Sequence, residues 1–347
     1  MTVHEIQGDG TIKEIHKVTG GPYGGIKVNE EFQSLLEELF GAETLKRYQR
    51  KFPCDWLSLM NEFEGKKRGK RILDSGLMTN IRLPRSFVSL VKQSRSPAME
   101  CYGDKDVKLK SNEYLSLSSA MMKKLFTPVV EHIKEHLTKL QKKSQLSKVQ
   151  TMLLVGGFAE SAFLQEGIKE EFSGRCKILI PNHASIAVVQ GAVMFGKKPT
   201  KITQRIVSTT YGADSIRNFI QGVHPEEKKM IADGIEKCRD LFNPFVMENE
   251  VVKPGQRKSI IYNPVRAKQE NMRIKFYVTS NPDTKFTTEP GVTRIGSVTV
   301  HSPDTWRGRD RDVEVSMYFG GTEITATARD VSSGNEAHTT LDFFCRS

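Results

Sequence analysis

Over the first sixteen positions apolar and polar residues alternate: Val3 and Ile6, the turn letters Gly8-Asp9-Gly10, then Ile12 and Ile15. A period of two on both sides of a glycine turn predicts two strands joined by a tight hairpin. Past the loop Gly20-Gly21-Pro22-Tyr23-Gly24-Gly25 the period lengthens, with Phe32, Leu35, Leu36, Leu39 and Phe40 on one helical face and Gly41 closing it. A second helix is predicted over 56–67. The stretch 115–143 carries Leu125, Val129, Ile133, Leu137 and Leu140 on one face, and Pro128 either starts a helix there or kinks one.

From Val149 the elements shorten. Met152-Leu153-Leu154-Val155 reads as a buried strand, Gly156-Gly157 as a turn, 163–172 as a helix, 177–180 as a strand and 186–195 as a helix. That βαβα order marks an α/β layer. Helical spacing then fades, with one stretch, 226–241, still open to a helix. From Phe245 short alternating segments at 260–262, 272–278, 298–300, 313–319, 324–328 and 341–343 lie between turn letters such as Pro254-Gly255 and Gly320-Gly321. They predict an all-β sandwich or barrel.

The 347 residues, 37% hydrophobic and 27% charged, suit about two domains and exclude a fibrous or mainly disordered chain. A net charge of +11 is modest over this length and names no ligand by itself. Five cysteines, Cys54, Cys101, Cys176, Cys238 and Cys345, form no CxxC pair, which fits a reducing compartment. No leader-like start and no apolar run of membrane-spanning length is present, so no membrane partner is expected.

Four features could carry chemistry. The strand–Gly156-Gly157–helix turn lets backbone approach a ligand, although many α/β turns look the same without one. The loop at Gly24 and Gly25 is open to the same two readings. The run Glu64-Gly65-Lys66-Lys67-Arg68-Gly69-Lys70-Arg71 suits a solvated helix end, a nucleic-acid patch, a nuclear-import signal, or cations for a single nucleotide. His132-Ile133-Lys134-Glu135-His136 spells HxxEH, a metalloprotease pattern, but a solvated helix face is the plainer reading and no metal is expected. No GxSxG elbow marks a serine hydrolase.

In order, the hairpin, GGPYG, EGKKR, LLVGGFAES, the IAVVQGAV helix, GAVMFG, TYG, HPEEK and EITATA resemble the heat shock 70 kDa chaperone family over nearly the whole chain. The likeness is nearest to its divergent type 12 branch. It implies an actin-like ATPase fold of two lobes with nucleotide in the cleft between them, followed by a β-sandwich that binds protein. This chain resembles the second lobe over 1–200, a connecting segment over 201–244, and the β-sandwich over 245–347. By the same resemblance Gly156 and Gly157 match the adenosine-side glycines. Glu64, Lys67 and Arg68 match the helix bordering the adenosine, and Gly24 and Gly25 match the glycine pair near the phosphates.

Three positions depart from the family pattern. Phe158 and Glu160 stand where typical members carry Ser and Arg, and Ser185 stands where they carry an Asp near the base. The first phosphate loop and catalytic lysine of the family belong to its first lobe, which this chain does not match; 197–206 is basic where typical members have an acidic, leucine-rich linker. The expected function is therefore nucleotide-gated protein binding in a complete protein, using ATP or ADP with Mg, with nucleotide weakly held and not hydrolysed by this chain. Protein partners or client polypeptides are expected, in the cytoplasm first and the nucleus second. A catalytically dead interaction scaffold is the alternative, and nucleic-acid binding through the basic run is the third reading.

Overall fold

Asp9 closes the opening hairpin: its carboxylate accepts from Thr11 N at 2.8 Å and Thr11 Oγ1 at 2.7 Å. The strands it joins, β1 (Val3–Ile6) and β2 (Ile12–His16), pair antiparallel. This computed structural model describes residues 1–69, 76–91, 106–111, 113–321 and 323–341. Two compact units divide the chain, Gly20–Lys197 in one and Met1–Thr19 with Lys198–Ser347 in the other.

In the first unit, α1 (Gly25–Phe40), α2 (Ala42–Lys51) and α3 (Pro53–Lys67) precede β3 (Met78–Arg82), α4 (Arg85–Val91), β4 (Val107–Lys110) and β5 (Tyr114–Ser118). There follow α5 (Ser119–Gln141), β6 (Thr151–Leu153), α6 (Ala162–Phe172), β7 (Lys177–Leu179) and α7 (Ala184–Lys197). One sheet is antiparallel in the order β3-β5-β4, and β6 runs parallel to β7, as the βαβα reading requires. The apolar face of α1 is buried as its spacing predicts, and Phe32 stacks on Phe63 of α3 with centroids 4.0 Å apart. Two corrections apply. Leu115 and Leu117 lie in strand β5, and the helix starts after Ser118, whose hydroxyl accepts from Met121 N at 3.0 Å as an N-cap. α5 then runs unbroken through Pro128, so the proline does not start it.

The second unit is built of strands. After β8 (Ile202–Ile206) come β9 (Thr210–Asn218), β10 (Lys229–Ala232), β11 (Ile235–Val246), β12 (Val251–Val252) and β13 (Gln256–Tyr262). β14 (Asn271–Thr279), β15 (Thr293–His301), β16 (Val313–Phe319), β17 (Thr325–Asp330) and β18 (Glu336–Thr340) complete it. Its sheets run β1-β2-β8-β12, β10-β11-β9-β14-β15 and β13-β16-β17-β18. Ile274, Phe276 and Val298 of the five-stranded sheet share a core with Val315, Met317 and Ala328 of the last one. The protein as a whole is thus mixed α/β with several sheets.

The stretch 226–241 is not an α-helix: one 3-10 turn, Glu226–Lys228, leads into two strands. β10 and β11 form a hairpin across Asp233 and Gly234, both at positive φ (50° and 76°), the requirement of a tight primed turn. Residues 201–244, which the sequence offers as a connecting segment, therefore carry β8 to β11 among their strands. The opening hairpin, carried by the sequence reading within a 1–200 lobe, groups with the strand-rich unit because β2 pairs in parallel with β8 at Ile12–Ile202 and Lys13–Gln204. Of the last predicted strand, Leu341 follows β18 and 342–347 lie outside the described residues.

Candidate functional site

Within the Gly20–Lys197 unit, the start of α1, the end of α3 and the turn after β6 converge on one cavity of about 230 Å³. Gly25, Glu64, Lys67, Arg68 and Gly157 line it together with Ile26, Phe126, Phe158, Glu160 and Ser161. Gly24 caps α1 next to Gly25, and Gly156 precedes Gly157. Five of the seven residues that the resemblance singled out thus line one cavity from three separate segments, with Gly24 and Gly156 their immediate neighbours in sequence. The Phe32–Phe63 stack makes this possible, because it sets α1 against α3 one turn from Asn29 and one residue from Glu64.

Asn29 was not legible as a site residue, yet it sits at the centre of the polar network. Lys67, only 6% exposed, donates to Gly25 O and Asn29 Oδ1, each at 2.7 Å, and pairs with Glu64 Oε2 at 2.5 Å. All three ammonium protons are engaged. Asn29 Nδ2 donates to Glu64 Oε2 at 3.1 Å, and Arg68 reaches Glu64 Oε1 through Nε at 2.9 Å and Nη2 at 2.7 Å. Burial raises the Glu64 carboxyl, but the bonds from Lys67, Asn29 and Arg68 outweigh it and hold the group below the usual carboxylate range. Burial also holds Lys67 below the usual ammonium range against the pull of Glu64. Lys67 therefore acts as a strut between α1 and α3. Arg68, 68% exposed, is the cation of this pair that remains open to a ligand.

The turn after β6 is held from the other side. Gly156, at φ 91°, donates its N–H to Ala184 O at 2.7 Å, and Glu160 Oε1 accepts from Ser185 N at 3.1 Å. Those bonds from Ser185 hold the Glu160 carboxyl below its ordinary range. Two of the departures from the family pattern, Glu160 and Ser185, are thus bonded to each other. The third, Phe158, faces Phe126 with parallel rings 6.3 Å apart. A Cβ added at Gly156 or Gly157 would meet nothing within 4 Å, so chain packing does not explain glycine at 157. At Gly25 a Cβ would crowd Lys67 Nζ at 3.3 Å.

In the basic run the described cations are matched by carboxylates of their own helix, Lys66 by Glu62 at 3.5 Å and Lys67 and Arg68 by Glu64. Lys70 and Arg71 lie outside the described residues. His132 stacks on Tyr23 at 3.5 Å, and Lys134 pairs with Glu131 and Glu171. No cluster of three metal-ligating side chains occurs among the described residues, and no helix there is long and apolar enough to cross a membrane. Cys176 and Cys238 are buried free thiols, pushed up by burial, and Cys54 is exposed; Cys101 and Cys345 lie outside the described residues.

The strand-rich unit has a larger groove of about 750 Å³, between the ends of β9, β11, β13 and β14 and the loop that joins the last two. Its rim is fixed by Arg311, 1% exposed. The guanidinium donates to Gly308 O (2.9 Å), Ser302 O (2.6 Å), Ser302 Oγ (3.0 Å), Ala267 O (3.0 Å) and Gln269 O (2.8 Å). Ser302 Oγ in turn donates to Asp330 Oδ1 at 3.0 Å. Tyr262 lies in the groove wall and its hydroxyl, pushed up to about 12 by burial, accepts from Asn243 Nδ2 at 3.3 Å. Local periodicity carries no signal for this groove, whose residues come from strands far apart in the chain.

The chain is similar to proteins named heat shock 70 kDa protein 12A and 12B. It is 35% identical over 351 residues to heat shock 70 kDa protein 12A of Mus musculus and 34% identical over 351 residues to that of Homo sapiens. To heat shock 70 kDa protein 12B of Homo sapiens it is 33% identical over 357 residues. Each match covers 99% of this chain and 52% of the relative, so the chain spans about half the length of the relatives it matches. No family model matches the chain.

Proposed function

We propose that this chain supplies the adenosine-side wall of a nucleotide site and a β-sandwich for polypeptide, in an atypical heat-shock-70-like protein where nucleotide occupancy gates protein binding. The observation that carries the reading is the convergence of Gly25, Glu64, Lys67, Arg68 and Gly157 on one cavity. At about 230 Å³ it is smaller than the roughly 300–1,000 Å³ of a site that encloses a whole ligand, and so suits part of a nucleotide. The residues fit that part: bare backbone at Gly156 and Gly157 for close approach, and the exposed guanidinium of Arg68 for a polar edge or phosphate. ATP or ADP is the ligand, with Mg accompanying it in the complete protein. The chain by itself turns over no ATP, because phosphoryl transfer needs metal and cations around the moving group and, among the described residues, the cavity offers one exposed guanidinium.

A catalytically dead scaffold is the second reading. It is favoured by Phe158, which packs on Phe126 where a hydroxyl is typical, and by Glu160, which is bonded to Ser185. Titrating ADP and ATP against the isotope-labelled chain, followed by amide NMR, separates the two. Gating requires weak, saturable shifts at Gly25, Arg68 and Gly157 that Gly157→Val removes without changing the melting temperature. If millimolar nucleotide shifts none of them, the scaffold reading stands. Steady hydrolysis above a buffer blank, lost in Gly157→Val, would refute the expected inactivity.

A further inference from the structure

Four cations from four different segments line the large groove of the strand-rich unit: Arg217 on β9, Lys237 on β11, Arg273 on β14 and Arg309 beyond β15. Against them stand two carboxylates, Asp214 and Asp310. Asp214 is already engaged, accepting from Lys275 N at 2.8 Å and facing Lys275 Nζ at 3.4 Å. Arg217 and Lys237 are held by neutral amides, Asn243 Oδ1 at 3.1 Å and Asn218 Oδ1 at 2.7 Å, which position the charges without cancelling them. None of the four cations has a carboxylate within 4 Å among the described residues. Like charges around a concave surface reinforce one another's field and select the opposite charge.

We infer that this groove captures extended acidic polypeptide segments, whose carboxylates pair with Arg217, Lys237, Arg273 and Arg309. The inference rests on the proposal that the strand-rich unit binds polypeptide, and it names the chemistry of what is bound. Preorganisation supports it: the loop on the groove's rim is fixed by the buried Arg311 through Ala267 O and Gln269 O, so little ordering is needed on binding. Single-stranded nucleic acid is disfavoured as the occupant. Grooves for it combine cations with aromatic faces on which bases stack, and the one aromatic in this lining, Tyr262, is half-buried and bonded to Asn243.

The test uses the full chain and three labelled peptides of equal length, rich in Glu and Asp, in Leu and Val, or in Lys, titrated at two salt concentrations by fluorescence anisotropy. The acidic peptide should bind best and weaken as salt rises. The double variant Arg273→Glu/Arg309→Glu should lose about tenfold in affinity, two reversed surface charges each contributing at the scale of an exposed ion pair. Arg294→Glu, an exposed change on β15 outside the lining, should lose none. Should the reversed pair fail to fold, Arg273→Gln/Arg309→Gln replaces it. Apolar-peptide binding that equals or exceeds acidic binding and ignores the charge reversal overturns the inference and leaves the polypeptide-binding proposal intact. No binding of any peptide overturns both. Tighter binding of a single-stranded oligonucleotide than of the acidic peptide also overturns it.

Discussion

Arg311→Met keeps most of the apolar stem and removes all five N–H groups, which isolates what the guanidinium does. Four backbone carbonyls and Ser302 Oγ then lose a charge-assisted donor at a site where Arg311 is 1% exposed. Each buried acceptor left unpaired costs about 1–3 kcal/mol, so five at the low end give roughly 5 kcal/mol. Relief from burying a charge with no carboxylate partner among the described residues returns a few kcal/mol of that. The net expectation is a loss of about 3 kcal/mol. At about 2–4 °C per kcal/mol for a unit of this size, the strand-rich unit should melt roughly 6–12 °C lower. Because the chain has two units, the measurement should be resolved by segment, with hydrogen exchange read by mass spectrometry across 263–270, 302–311 and 313–330. Exchange there should accelerate while α1 and α3 are unchanged. Arg311→Lys should not rescue, since a point ammonium with three donors cannot span Gly308, Ser302, Ala267 and Gln269. A loss below about 1 kcal/mol, or full rescue by lysine, would refute the claim that this clasp fixes the groove rim.

Two further outcomes follow from the strand-rich unit. A Cβ at Gly212 would lie 2.6 Å from the Phe242 ring and 2.7 Å from Asn243 O, so Gly212→Ala should lose about 1–3 kcal/mol in urea unfolding; an unchanged midpoint would contradict the packing of β9 on β11. Burial raises the Asp330 carboxyl, but bonds from Ser333, Ser332 and Ser302 outweigh it and hold the group below the ordinary range. Its contribution is therefore complete above the unfolded value of about 3.9 and lost as pH falls through the lower folded value. Asp330→Asn should be less stable at neutral pH and show a shallower acid limb in melting temperature against pH; an acid limb identical to that of the parent chain would count against the assignment.

Local pattern alone determined the type and place of elements whose own residue spacing is regular. The apolar face of α1 and the alternation of β13, β14 and β16 appear where the residue spacing puts them, and so does the strand–turn–helix around Gly156 and Gly157, although its strand is Thr151–Leu153 and Leu153 and Val155, read as buried, are exposed. The ordered motifs also carried the likeness to heat-shock-70-type proteins, which the homologues show. The hairpin across Asp233 and Gly234 was written in the sequence as well, but weak helical spacing around it masked the turn letters. Spacing says which face of an element is apolar, not which element covers it. Only the tertiary structure paired β2 with β8 across most of the chain, brought Asn29 to Lys67 and Glu64, and bonded Glu160 to Ser185. It also buried Lys67 between α1 and α3 while leaving Arg68 facing out, although the two are neighbours of like charge in the sequence. The same holds for Arg311 and for the cationic groove beside it. Burial and charge compensation are sums over neighbours that the chain brings together from distant positions, so no local window contains them.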